Sequence, residues 1–275
     1  MDWQIFGHEN IKKILAKQLA SENLAHAYLF CGPAGVGKKT LGMELAKKIL
    51  KTENLASHPD FLLLSQEGEI TIEKVREFIG RLSLKPFAGK RKVAILDNAE
   101  NLNLQSSNAL LKTLEEAASD TVIILAAGQA GVLPTIVSRC QVFNFSAFTP
   151  QQLESYAASK GWQASLEIVT LSFGGIARLY ALYEDADFLE AQKKLVEQYS
   201  NLRSMHSGER MARLNELALS ENLQNDLSVW LKWQTQNLRA QPNEFRRAAS
   251  LSEAISGLRR NFNKKLVLQQ LLFNL

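Results

Sequence analysis

Five short apolar runs in the first half of the chain alternate with segments of helical periodicity. Each run is four or five residues long and apolar on both faces, which is typical of strands buried in a parallel sheet. Between the runs, apolar residues recur at the spacing of helices that pack one face on a core, as in Ile11, Leu15 and Leu19. This alternation predicts an α/β fold with a five-stranded parallel sheet and helices on both sides. The predicted strands are Ala27–Cys31, Phe61–Ser65, Val93–Asp97, Val122–Ala126 and Val142–Phe145.

The pattern changes near residue 148. Thr149 and Pro150 are typical of a helix start, with Thr149 as the N-cap and Pro150 in the first helical position. Helical periodicity then continues, with breaks at Gly161 and at Gly174-Gly175, and no strand-like run follows. The sequence therefore predicts three domains: an α/β domain over residues 1–148, a small helical domain over 149–185 and an all-helical C-terminal domain over 186–275.

Composition is that of an ordinary globular protein. Of the 275 residues, 46% are hydrophobic and 22% are charged, which excludes a disordered chain. The net charge of +4 is a slight basic excess and excludes a polycationic tail. The two cysteines, Cys31 and Cys140, exclude a disulfide scaffold and a four-cysteine zinc site. Since no signal-peptide pattern and no long apolar stretch occurs, we expect a cytoplasmic protein without a membrane partner.

The most informative motif lies between the first predicted strand and the helix that follows it. Its sequence, GPAGVGK, is the phosphate loop G-x-x-x-x-G-K in the strand–loop–helix context that the motif requires. Glycines let backbone N–H groups turn toward phosphate oxygens, and the lysine adds a positive charge. A tight turn that binds no ligand is the alternative interpretation. The predicted nucleotide-binding residues here are Gly32, Gly35, Val36, Gly37, Lys38, Lys39 and Thr40.

The residue after the loop lysine departs from the motif of hydrolysing proteins. That position is Ser or Thr in such proteins, because its hydroxyl binds Mg²⁺. Here it is Lys39, and the next hydroxyl, on Thr40, is rotated by about 100° around the helix. A second cation beside Lys38 would also compete with Mg²⁺.

Two further positions argue against hydrolysis. Asp97, at the end of the third predicted strand, can orient a metal shell, but the next residue is Asn98, whose amide cannot act as a general base. Glu100 could substitute only if the turn were rearranged. The fourth predicted strand ends in Ala126-Ala127-Gly128, where a polar residue often contacts the γ-phosphate or the attacking water. We therefore interpret Asp97 and Asn98 as a degenerate Walker B motif.

Four motifs, taken in order, resemble the bacterial DNA polymerase III clamp-loader subunits, which are AAA+ proteins related to the replication factor C subunits of eukaryotes. They are the phosphate-loop segment, HPDFLLL at His58–Leu64, NALLKTLEE at Asn108–Glu116, and Ser138-Arg139-Cys140. The resemblance covers about residues 5–180 and is looser over the helical remainder. A degenerate Walker B region beside an intact Ser-Arg-Cys motif is similar to the delta-prime type rather than to the gamma/tau ATPases.

The resemblance implies an AAA+ domain, a helical lid and a C-terminal collar. It also implies that Arg139 is an arginine finger supplied in trans to a neighbouring ATPase subunit. The implied partners are gamma/tau-type and delta subunits, with the sliding clamp and primer-template DNA reached through the complex. From the residues alone, a surface arginine before a buried strand is the favoured interpretation of Arg139.

Two expectations concern ligands. Arg178 lies where the family has a lid arginine that faces the nucleotide, so the resemblance implies either a nucleotide contact or a residue that anchors the lid. Many bacterial members carry a four-cysteine zinc module before the His-Pro-Asp motif, but residues 41–57 contain no cysteine. We therefore expect no zinc or other metal, and ATP or ADP bound without hydrolysis.

Three functions stay open at this stage. The first is a non-hydrolysing clamp-loader subunit that supplies Arg139 to an adjacent ATPase. The second is a gamma/tau-type subunit whose departures at Lys39 and Asn98 tolerate hydrolysis. The third is a P-loop nucleotide-binding module outside replication.

Overall fold

The computed structural model describes residues 3–66, 68–116, 120–128, 131–236, 242–260 and 262–272. Contacts divide the chain into two compact units. The first consists of Met1–Thr149 and Gly175–Ala177, and the second of Pro150–Gly174 and Arg178–Leu275. The finer division into three domains at residues 148 and 185 stays a prediction.

The first unit contains a five-stranded parallel sheet in the order β2-β3-β4-β1-β5. All five predicted strands are confirmed, and their ends differ from the predicted ones by at most one residue. The first strand lies between the fourth and the fifth, so the loop that follows it emerges from the interior of the sheet. The strands are β1 (Ala27–Cys31), β2 (Phe61–Ser65), β3 (Lys92–Asp97), β4 (Thr121–Ala127) and β5 (Gln141–Asn144).

The expectation of burial on both faces is correct for the three inner strands and wrong for the two edge strands. The residues of β4 are all buried, whereas β2 exposes Leu63 at 43% and β5 exposes Val142 at 37%. The helices that the structure describes leave these two positions partly open to solvent. An apolar run in the sequence therefore marked a strand without showing that it lies at an edge.

Helices of the first unit pack on the sheet with the faces that their periodicity predicted. Helix α3, for instance, buries Val75, Phe78 and Leu82. A short helix, α5, was not predicted, because one turn gives no periodicity to detect. The helices are α1 (Glu9–Ala20), α2 (Lys38–Leu50), α3 (Ile72–Leu82), α4 (Leu104–Glu115) and α5 (Pro134–Val137), with a 3₁₀ turn at Ala99–Asn101.

In the second unit every element is helical among the residues that the structure describes. Its first helix begins at Pro150, as predicted. Trp230 is fully buried in the core, stacks on Tyr199 and donates a hydrogen bond from Nε1 to the Leu195 carbonyl at 2.8 Å. The helices are α6 (Pro150–Ser159), α7 (Leu166–Leu171), α8 (Ile176–Glu184), α9 (Ala186–Ser204), α10 (Ser207–Leu217), α11 (Leu223–Gln236), α12 (Pro242–Arg259) and α13 (Lys264–Leu272).

Candidate functional site

The phosphate loop connects the end of β1 to the start of α2, at the carboxyl edge of the sheet. Gly35 and Gly37 have φ angles of +78° and +96°, which side chains rarely allow. The N–H of Gly32 donates to the carbonyl of Ala127 at 3.2 Å, so the loop is joined to the neighbouring strand β4. The glycines therefore occupy the backbone conformations that the motif requires.

The N-terminal segment holds the loop from outside. A side chain at Gly37 would begin 2.6 Å from the Cδ1 atom of Ile5, so the segment approaches the loop closely. Nε2 of His8 lies 2.8 Å from the carbonyl oxygen of Val36 and must carry the proton there, because a carbonyl only accepts. Burial lowers the pKa of His8, although the bond to Val36 opposes that shift. A neutral imidazole thus helps to fix the loop.

The Lys38 ammonium folds back over the loop. It donates to the carbonyl oxygens of Gly32 and Pro33 at 2.7 and 2.6 Å. Burial lowers the pKa of Lys38, while the carboxylates of Glu100 and Asp97 act in the opposite direction. An incoming phosphate would find this ammonium within the loop that is to hold it.

Lys39 forms an ion pair with the carboxylate of the degenerate Walker B motif. Its Nζ lies 3.2 Å from Oδ2 of Asp97 and 2.9 Å from Oγ of Ser65, and that hydroxyl donates to the same Oδ2 at 3.0 Å. The other oxygen of Asp97 accepts the N–H of Asn98 at 3.1 Å. Both carboxylate oxygens are therefore engaged by the chain itself.

The fold family implies Mg²⁺ beside such a loop, and the residues present do not fit it. The position of the hydroxyl ligand carries the Lys39 ammonium, which contacts Asp97 directly. The nearest hydroxyl along the helix, on Thr40, belongs to an exposed residue. A divalent cation at Asp97 would have to displace a like charge.

The positions expected to activate water do not form a catalytic arrangement. Asn98 adopts a left-handed backbone conformation with φ +58°, and its side-chain N–H donates to the carbonyl of Gln66 at 3.1 Å. Ala126 and Ala127, at the end of β4, are buried. One oxygen of Glu100, Oε2, is buried without a hydrogen-bond partner among the described residues. Sequence reasoning gave Glu100 little weight, and only its place three residues after Asp97 could have marked it.

Arg139 lies at the amino ends of the parallel strands, whereas the phosphate loop lies at their carboxyl ends. It follows α5 and precedes β5, whose first residue, Gln141, pairs with Tyr28 near the start of β1. Its Nε donates to Oε1 of Glu115 at 2.8 Å, a second guanidinium nitrogen contacts the same oxygen, and a third donates to the carbonyl of Thr135 at 2.9 Å. Its side chain is 33% exposed and that of Glu115 is 50% exposed. The guanidinium is thus held by a partner that water also reaches.

Cys140, directly after this arginine, faces the interior. Its side chain packs against the core of the first unit. Burial, reinforced by the nearby Cys31 thiol, raises the pKa of Cys140 to about 12. The partly buried thiol therefore packs on the core, and its thiolate is disfavoured at neutral pH.

Arg178 is tied into the second unit. Its Nε donates to the carbonyl of Leu171 at 2.8 Å and another nitrogen donates to Oε1 of Gln192 at 2.5 Å. The guanidinium also lies over the rings of Phe173 and Phe188. Burial lowers the pKa of Arg178. These contacts join α8, which carries Arg178, to α7 and α9, and the nucleotide contact of Arg178 stays a prediction.

Within the described ranges, no group of three or more His, Cys, Asp or Glu side chains is arranged to hold a metal ion. A helix long and apolar enough to cross a membrane is likewise absent from those ranges.

Comparison with known proteins identifies a matching family and several relatives. Residues 7–149 match the family model described as "DNA polymerase III, delta subunit". The DNA polymerase III subunit delta' of Pseudomonas aeruginosa is 39% identical in an alignment of 136 residues, with a coverage of 42% of this chain and 42% of that protein. The subunit delta' of Bacillus subtilis is 26% identical over 213 residues, covering 70% of this chain and 64% of the relative.

Two more similarities extend this picture. The subunit gamma/tau of Mycoplasma pneumoniae is 32% identical over 180 residues, covering 60% of this chain and 26% of that protein. Each of these sequence matches spans less than two thirds of the relative's own length. Among solved structures, a point mutant of RuvB from Thermotoga maritima aligns with a TM-score of 0.50 at 16% identity, covering 96% of this chain and 88% of that one. That likeness supports the AAA+ fold.

Proposed function

The chain belongs to the DNA polymerase III delta-subunit family, as an AAA+ clamp-loader subunit of the delta-prime type, and we propose that it supplies Arg139 to the ATP of a neighbouring subunit. In this proposal the chain does not hydrolyse ATP itself. It assists gamma/tau-type and delta partners in loading the sliding clamp onto primed DNA, in the cytoplasm.

The position of Arg139 carries the proposal. The arginine lies at the amino edge of the sheet, whereas the chain's own phosphate loop lies at the carboxyl edge. A guanidinium at that place cannot serve the phosphates of its own loop. The Arg139 side chain is one-third exposed and its partner Glu115 is half exposed, so a phosphate that another chain brings can compete with Glu115 for the guanidinium. An arginine finger supplied in trans is used in this way, because its fork stabilises charge on the γ-phosphate.

The contacts at the phosphate loop support the absence of hydrolysis. Asp97 is paired with Lys39, and the residue after it is Asn98, whose side chain is bonded to a carbonyl. No general base is therefore placed beside the loop by the Walker B motif. The loop itself keeps its glycines and Lys38, so a nucleotide, ATP or ADP, is proposed to bind through Gly32, Gly35, Val36, Gly37, Lys38, Lys39 and Thr40.

A gamma/tau-type ATPase is the second candidate, and Glu100 is the observation that favours it. Its buried Oε2 has no hydrogen-bond partner in the described part of the chain, and its charge reaches Lys38. A carboxylate in this state could accept a proton from water. Hydrolysis by the purified chain that is abolished in Lys38→Ala would support this candidate.

The principal test is reconstitution with gamma/tau-type and delta subunits, with and without this chain. We expect the chain to raise the ATPase rate that DNA and the clamp stimulate, and Arg139→Ala to remove that increase. Arg76→Ala is the matched control, because Arg76 is an exposed arginine on α3 in the same unit. If Arg139→Ala joins the complex and leaves the rate unchanged, Arg139 does not act in trans.

A further inference from the structure

Four charged side chains surround the phosphate loop, and their charges cancel. The ammonium groups belong to Lys38 and Lys39, and the carboxylates to Asp97 and Glu100. Lys39 contacts Asp97 directly, and Glu100 acts electrostatically on Lys38. The site therefore reaches neutrality with groups of the chain alone, at the place where the fold family uses a divalent cation.

We propose that the Lys39 ammonium takes the place of Mg²⁺ at this loop, so that the loop binds the phosphates of a nucleoside diphosphate or triphosphate without a divalent cation. This inference rests on the part of the proposed function that assigns a nucleotide to the loop. It does not depend on the role of Arg139.

At such a site a metal ion acts first through its charge. A carboxylate close to a polyphosphate repels it, and a cation between them removes that repulsion. Here the Lys39 Nζ, 3.2 Å from Oδ2 of Asp97, neutralises the carboxylate that would otherwise face the phosphates. Ser65 strengthens the arrangement, since its hydroxyl bonds to both groups.

The remaining phosphate contacts need no metal. Backbone N–H groups of a glycine loop and the N-terminus of the following helix bind phosphate by their own dipoles. The loop starts at Gly32, and α2 begins at Lys38 with Gly37 as its N-cap. The chain thus retains the backbone part of the site and has replaced its metal part by a side chain.

The experiment measures the dissociation constant of ADP for the full chain, freed of bound nucleotide, in EDTA and in Mg²⁺. We expect the wild-type constants to agree within about twofold in the two buffers. In Lys39→Ser, which restores a hydroxyl and frees Asp97, we expect Mg²⁺ to tighten binding by about tenfold or more. Lys39→Met removes the cation without adding a hydroxyl, and we expect it to weaken binding in both buffers.

Lys47→Ser is the matched control. Lys47 lies on the same helix and pairs with Glu53 at 3.1 Å, so its loss also breaks an ion pair of α2. We expect it to bind ADP as the wild type does in either buffer.

Two results would overturn the inference. Wild-type binding that Mg²⁺ tightens by about tenfold would show that the metal site is intact. The absence of ADP binding in both buffers would remove the nucleotide from the loop, and with it this inference. Neither result bears on the proposed role of Arg139, because the reconstitution experiment tests that role separately, at the ATP of another subunit.

Discussion

The phosphate loop and the Ser138-Arg139-Cys140 segment both bond their cations to the chain itself, but to different kinds of partner. At the loop, Lys38 donates to backbone carbonyl oxygens and Lys39 pairs with Asp97. In the other segment, Arg139 donates to the carbonyl of Thr135 and pairs with Glu115, which is itself half exposed.

The carboxylate partners of these cations differ in exposure, because the Asp97 side chain is 17% exposed and that of Glu115 is 50% exposed. An ion pair with a solvent-exposed carboxylate contributes little, about 0–1 kcal/mol, so the arginine can leave Glu115 at small cost. The same chain thus pairs Lys39 with a mostly buried carboxylate and Arg139 with a half-exposed one.

The largest expected effect comes from replacing Arg139 by a residue of the same charge. We expect Arg139→Lys to lower the ATPase rate that this chain adds to its partners by about 10³-fold. Lysine lacks the planar fork that binds two phosphate oxygens at once. Hydrolysis is measured in the reconstituted complex, after gel filtration has shown that the variant assembles.

Arg76→Lys makes the same exchange at an exposed position on α3 and should leave the rate unchanged. Full activity in Arg139→Lys would mean that a point charge suffices, and the contrast between the two regions would lose its chemical basis.

The second prediction concerns Cys140, the residue that follows Arg139. Because the pKa of Cys140 is raised to about 12 from the ordinary 9.0, its thiolate is scarce at pH 8. We expect iodoacetamide to alkylate it about 10³-fold more slowly in the folded chain than in urea. Mass spectrometry of the Cys140 peptide measures both rates. Equal rates would show that the fold does not shield the Cys140 thiol.

The third prediction tests how tightly the loop is packed against its own chain. A methyl group at Gly32 would overlap the carbonyl oxygen of Phe145, so Gly32→Ala should lower the free energy of unfolding by about 2–3 kcal/mol. Urea denaturation measures the change.

Gly80→Ala is the control for that change, because a methyl group at Gly80, on α3, meets no atom within 4 Å. The helix propensity of alanine should raise its stability by about 0.5–1 kcal/mol. A stable Gly32→Ala protein would show that the loop has room to adapt.

The smallest expected effect is at Glu115, the carboxylate that pairs with Arg139. Glu115→Gln removes the charge that competes for Arg139, so the concentration of this chain that half-saturates the complex should fall by about two- to fivefold. Titration of the stimulated ATPase measures it. Glu116, the next residue, pairs with Lys112 at 4.0 Å. Glu116→Gln weakens that pair and should cause no change. An identical shift in both variants would indicate a general charge effect.

Much of the fold could be predicted, because its signals are local. Apolar runs located the five strands, and the glycine pattern located the loop between β1 and α2. The edge positions of β2 and β5 escaped prediction, since burial depends on which neighbours a strand obtains. The single turn of α5 escaped it because four residues are too few for a periodic pattern.

The site divides in the same way. The sequence showed that Lys39 replaces a hydroxyl residue and that Asn98 cannot act as a base. It did not show that Lys39 pairs with Asp97, because only the fold brings the start of α2 to the end of β3. The pair of Arg139 with Glu115 was equally hidden, since both are surface residues and 24 positions separate them.

The parallel direction of the strands has a consequence for assembly. All five carboxyl ends lie at one edge, with the phosphate loop, and the amino ends lie at the other, with Arg139. If Arg139 acts on the phosphate loop of a neighbouring subunit, as proposed, the contact joins unlike faces and runs head to tail rather than through a shared two-fold axis. Such contacts either close into a ring or continue as a filament, and they give every subunit a distinct predecessor and successor.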